Sequence, residues 1–226
     1  METTSTLTKS NGNKSAGTSG TQQIKQWVVE VTCEQRSPIL FDAMSADEVW
    51  NVLYAGNRPL KDKTATREQV AEQKLYHNPE GGAIGFPAEM LFASLRGAGR
   101  KVKVGRSALS TAETTQLPAF LTIEDPFIEL LDKDAAWIPD VRRGMMKSGT
   151  TKVACAICRP KFMLWRFKVR ISVDLEGVDG LEMAHLRQLF YKAGSTQGLG
   201  SFRPSCNGPF GRFKVVDWEQ TKNTDI

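Results

Sequence analysis

Ser195-Thr-Gln-Gly-Leu-Gly-Ser-Phe-Arg-Pro-Ser-Cys-Asn-Gly-Pro-Phe-Gly-Arg-Phe-Lys214 is the stretch that organises this 226-residue chain. Four glycines, Gly198, Gly200, Gly208 and Gly211, alternate with Phe202, Phe210 and Phe213, and Arg203, Arg212 and Lys214 add positive charge. Glycine admits positive φ and lets another group approach the main chain. Successive N–H groups in such a loop form a concavity for anions. Arginine grips phosphate with two parallel donors, and aromatic rings give bases a face to stack on. A plain packed connection would also use these glycines, with the phenylalanines turned inward.

Working outward, residues 181–193 precede the loop as a helix with Met183, Leu186, Leu189, Phe190 and Ala193 on one side. Residues 212–218 follow it as a final strand. Upstream, residues 163–173 alternate Arg166, Lys168 and Arg170 with Phe167, Val169 and Ile171. Period two puts the three cations on one face of a strand. That pattern suits a nucleic-acid platform; an ordinary solvated sheet face gives the same pattern. Residues 152–157 are expected to pair with this strand, and residues 132–149 read as a loop carrying Arg142, Arg143 and Lys147.

Further towards the N-terminus, residues 85–96 are the clearest helix. Ala88, Leu91, Phe92 and Leu95 form its apolar stripe, and Pro87 suits a first helical position. Arg96, Arg100, Lys101, Lys103 and Arg106 crowd its end and a strand at 101–104. Residues 117–123 and 126–131 are strand candidates. Residues 27–33 have strand composition. Ser45-Ala-Asp-Glu48 is a capping box opening a short helix. Residues 66–76 read as a polar helix, and residues 77–82 as a turn.

The net charge is +5, but the charge is segregated. Residues 90–112 hold five cations and no acid, residues 141–173 nine and none, and residues 183–216 five and none. Such zones suggest a face for a polyanion. Acids distant in sequence but near in space would balance them instead. Residues 1–22 are polar and of low complexity, so a disordered tail is expected, with no membrane span and a cytoplasmic location. Residues from 219 on are expected to fray.

Catalytic and metal chemistry find little support. Only two histidines occur: His77 in a turn and His185 beside a helical apolar stripe. Cys155-Ala-Ile-Cys158 has zinc-like spacing but lacks a second pair. Only the fold could bring Cys33 and Cys206 to it. No cofactor is expected.

With residues 34–83 and 111–149 set aside as insertions, the order is strand, helix, strand, strand, helix, strand. This is an α+β, ferredoxin-like (RRM-like) arrangement with a C-terminal glycine-rich loop. On that order, Gly198-Leu-Gly-Ser-Phe-Arg-Pro with Gly208-Pro-Phe-Gly-Arg-Phe213 resembles the glycine-rich loop of the RAMP (repeat-associated mysterious protein) superfamily. Ile84-Gly-Phe-Pro-Ala-Glu-Met-Leu-Phe-Ala-Ser-Leu-Arg96 is similar to that family's first core helix. The resemblance implies a non-catalytic backbone subunit of a CRISPR effector complex. Such a subunit holds single-stranded guide RNA, and with it target nucleic acid, in a homo-oligomer beside other effector subunits. It also implies an inserted hairpin, for which residues 132–149 are the candidate. The residues expected to meet RNA are Arg96, Arg100, Lys101, Lys103, Arg142, Arg143, Lys147, Arg166, Lys168, Arg170, Gly198, Gly200, Phe202, Arg203, Gly208, Gly211 and Arg212. An RNA-cleaving member of the superfamily, or a self-assembling mobile-element protein with a basic partner-binding face, are the alternatives.

Overall fold

The structure, a computed structural model, describes residues 26–56, 64–131, 136–148 and 151–222; the side chains of residues 46, 53, 146–148, 152 and 222 lie outside that description. So do the tail at 1–22 and the last residues of the chain. In chain order the elements are β1 (Gln26–Gln35), β2 (Ile39–Leu40), α1 (Ala46–Glu48) running into a π-helical turn at Val49–Tyr54, and α2 (Arg67–Glu72). Next come β3 (Gly85–Pro87), α3 (Ala88–Gly99), β4 (Lys103–Val104), β5 (Ser107–Ala108), β6 (Leu121–Ile123) and β7 (Phe127–Glu129). The second half holds β8 (Trp137–Ser148), β9 (Thr151–Phe162), β10 (Arg166–Asp174), α4 (Met183–Lys192) continuing to Gln197, and β11 (Phe213–Lys222). The protein is α+β with several antiparallel sheets.

The main sheet has the order β11-β1-β10-β6, and every neighbouring pair in it is antiparallel. Alternation decides its faces. Val29, Val31 and Cys33 of β1 and Phe167, Val169, Ile171 and Val173 of β10 are buried on one side. Against them pack Leu91, Leu95 and Ala98 of α3 and Leu186, Leu189 and Phe190 of α4, in one continuous core. Each large apolar side chain so buried contributes about 1.5–3 kcal/mol. Trp165, Phe167 and Phe213 form an aromatic cluster within it. The Trp165 indole N–H donates to the Ser37 carbonyl at 2.9 Å, so the ring is buried without an orphaned polar group.

Several elements differ from the sequence reading. The strand expected at 101–104 is only β4, and it pairs with β5 in a small hairpin. Its expected place in the main sheet is taken by β6, within the stretch set aside as an insertion. Residues 137–148 are not a loop: β8 pairs with β9 over twelve residue pairs. Its Pro139, Asp140 and Gly144 are poor strand formers, and tertiary pairing overrides their propensity. β9 therefore pairs with β8 and β2, in a second sheet, and not with β10. Pro87 is the N-cap of α3 and closes β3 instead of opening the helix. Gly97 and Gly99 lie inside α3. β11 runs on to Lys222, because residues after 218 continue to pair with β1. The capping box at Ser45 and Glu48 forms as read, with reciprocal hydrogen bonds of 3.1 and 2.9 Å.

Candidate nucleic-acid interface

The glycine loop begins where α4 loosens into the turn at Ala193–Gln197. Gly198, Gly200 and Gly211 all take positive φ, near +70°. The close approaches that the sequence calls for are made by the chain itself. A Cβ on Gly208 would collide with the Phe202 carbonyl, one on Gly211 with that of Leu199, and one on Gly200 with that of Leu40. The loop is therefore a tightly folded scaffold, and its glycines build it from within instead of lying open to a ligand. Gly211 N–H donates to Pro38 O at 2.7 Å and Ser201 N–H to Leu40 O at 2.8 Å, which ties the loop to β2.

The scaffold presents side chains. Phe213 is buried, whereas Phe202 is 42% exposed and carries a positive φ of 50°, rare for a phenylalanine. Phe210 lies beside it, with ring centroids 6.1 Å apart. Across the gap stands Arg142 of β8, its guanidinium 4.5 Å from the Phe210 ring centre and 5.8 Å from that of Phe202. The hairpin of β8 and β9 and the glycine loop thus meet at one aromatic and cationic point. Arg203 is partly committed within the loop, donating to Gly200 O at 2.8 Å and Ser205 Oγ at 2.9 Å. Arg212 and Arg143 are exposed and have no carboxylate partner among the described residues. The side chain of Lys147 lies outside the described residues.

Two acids that the sequence reading did not single out lie close by. Asp140 accepts from Arg142 and, at 3.0 Å, from Lys161. Its carboxyl is held below the ordinary aspartate range by the Arg142 hydrogen bond first, and by Lys161 against the opposing effect of burial. Asp42 accepts from Lys74 and Arg159, each at 2.5 Å. Burial raises its pKa, but these two cations together outweigh that and hold it low. In both clusters one carboxylate faces two cations, which leaves positive charge around the hairpin base. Nothing in the local sequence marks Asp42 or Asp140 for this role.

The remaining candidates sit elsewhere. Arg166, Lys168 and Arg170 do point from one face of β10, as alternation requires. That face is not an acid-free platform. Lys168 pairs with Glu30, Arg170 with Glu124 at 2.8 Å, and Lys214 with Glu34 at 2.6 Å. Asp217 and Glu219 act on Lys168 as well, and with Glu30 they raise its pKa. Acids distant in sequence thus balance this zone. The cations after α3 form a separate cluster. Arg96 and Arg100 donate to the carbonyls of Glu113 and Thr111, and Arg100, Lys101, Lys103 and Arg106 are exposed.

His185 accepts from the Glu182 N–H as part of a helix cap, and His77 lies 3.1 Å from the Gly82 carbonyl within its turn. Cys155 and Cys158 fall on opposite faces of β9, with Cys33 in the core and Cys206 in the loop. Among the described residues no group of three His, Cys, Asp or Glu side chains is placed to hold a metal ion, and no helix is long and apolar enough to cross a membrane.

No family model matches the sequence, and no curated protein matches it. Among solved structures, the chain is similar to one in the cryo-EM structure of the Type III-B Cmr-beta bound to cognate target RNA. The TM-score is 0.49 and the identity 12%, over 88% of this chain and 61% of that one. The chain thus spans less than two thirds of the length of that relative.

Proposed function

We propose that this chain is a non-catalytic subunit that holds single-stranded RNA, the guide of a CRISPR-type ribonucleoprotein, where the glycine loop meets the hairpin. The observation that carries the reading is the convergence of Arg142, Phe202 and Phe210, with Arg203 and Arg212 in the same loop as the two rings. The exposed Phe202 ring beside guanidinium groups serves the two needs of a single strand, stacking for bases and charge for phosphates, while Phe210 is buried and backs the Arg142 guanidinium. Lys168 and Arg170 drop out of the RNA path, because Glu30 and Glu124 already meet their charge.

The strand order of the main sheet supports a ferredoxin-like core, and with it the RAMP reading. Taking β1, α3, β6, β10, α4 and β11 as its six elements puts the fourth, first, third and second strands side by side. β8 and β9 are then the inserted hairpin. Partners in this reading are guide RNA, target nucleic acid, further copies of the chain and other effector subunits, in the cytoplasm.

Binding should be electrostatic and largely independent of sequence, since phosphate contacts carry no base information. A labelled mixed-sequence single-stranded RNA, followed by fluorescence anisotropy, tests this. With about four phosphate contacts, affinity should fall roughly 50-fold between about 50 and 200 mM salt. Lys168→Ala with Arg170→Ala should leave it within about twofold, as those charges are paired. A flat salt response would overturn the reading.

A further inference from the structure

The free edge of the main sheet offers a second docking surface of different chemistry. β6 ends the sheet, and it bonds β10 through its even-numbered neighbours: Glu124 N–H donates to Arg170 O at 3.0 Å, and Asp174 N–H to Phe120 O at 2.9 Å. In an antiparallel ladder the intervening residues turn their N–H and C=O the other way. Leu121 and Ile123 therefore turn both groups away from β10, with no partner among the described residues; Ile123 is half-buried, and Leu121 is buried in the floor of the adjoining groove. Beside that edge runs a groove of about 350 Å3 between β6 and the first turns of α3. Glu89, Phe92, Pro118, Leu121, Ile123 and Pro126 line it. It is mostly apolar, and its charged groups are acidic. Glu89 and Asp125 are exposed and have no ion-pair partner among the described residues, and the nearby Arg170 is engaged by Glu124.

We propose that this groove takes an extended segment of another polypeptide as an added antiparallel strand, with apolar residues facing the groove and lysine or arginine flanking them. A free strand edge beside a helix gives affinity through main-chain bonds and selectivity through alternate side chains. The acidic rim selects a basic segment and repels nucleic acid, so this surface is separate from the loop and hairpin.

The test uses the full chain and a labelled peptide, acetyl-Lys-Lys-Val-Thr-Val-Lys-Lys-amide. Its two valines would lie opposite Leu121 and Ile123. Saturable binding at micromolar concentration is expected by anisotropy. Methylating both valine amides removes the donors to β6 and should weaken binding at least about tenfold. Exchanging the lysines for glutamates should do the same, and Glu89→Lys with Asp125→Lys should reverse that preference. Retained RNA affinity in this variant separates the result from the RNA reading. The proposal is overturned by absent binding, by equal binding of the methylated peptide, or by indifference to charge. A peptide-free dimer that the charge-reversed variant abolishes would assign the groove to a second copy, and would equally overturn it.

Discussion

Replacing Gly211 by alanine should cost the fold at least about 3 kcal/mol, the largest stability loss expected from any single methyl group here. Two penalties add. The residue sits at φ +71°, where an L side chain is strained, and its new Cβ would run into the Leu199 carbonyl, a backbone atom that cannot rotate aside. The Leu199 N–H also donates to the Gly211 carbonyl at 2.9 Å, so any shift breaks that bond as well. Gly105 supplies the control. It too has positive φ, +58°, but an added Cβ there meets nothing within 4 Å. Gly105→Ala should show the conformational strain alone, about 1 kcal/mol. Urea denaturation of the two variants measures the difference. Equal losses would mean that the loop is not built on its own carbonyls.

The second large effect is on binding. Arg142→Ala combined with Arg212→Ala should weaken single-stranded RNA at least about tenfold and make the salt dependence shallower, by roughly 0.7 for each phosphate left without its arginine. Arg212 is exposed and should add little to stability. Arg142, however, is one of two cations on the buried Asp140, which then keeps only Lys161, so the double variant should lose about 1–3 kcal/mol and stay folded. Anisotropy and thermal melting on one preparation read both quantities. A stable double variant with unchanged affinity would remove the loop and hairpin from the RNA path.

Much of the frame is legible in the residues. The alternation of Phe167, Val169 and Ile171 with three cations does give a strand with one buried face, and the apolar stripes of 85–96 and 181–193 do give helices. β6 lies within the strand candidate at 117–123, but its place in the main sheet escapes, because three residues carry no pattern that names their partner strand. β8 escapes because Pro139, Asp140 and Gly144 hide a strand held by its partner. The loop glycines illustrate a deeper limit. Close approach demands the absence of Cβ whether the visitor is a phosphate or the carbonyl of Leu199, so sequence alone does not say which. Charge zones have the same weakness. The acids that neutralise Lys168 and Arg170 come from β1 and the residue after β6, far away along the chain. The meeting of Arg142 with Phe210 is likewise a contact between distant segments that no local pattern announces.

Photocrosslinking tests the central claim most directly. A single-stranded RNA carrying 4-thiouridine is irradiated with the intact protein, and the adducts are mapped by mass spectrometry. Stacking of bases on Phe202 predicts adducts at this ring and at Cys206 in the same exposed loop, lost when unlabelled RNA competes. Adducts confined to the outer face of β1, β10 and β11, or none that competition removes, would contradict it.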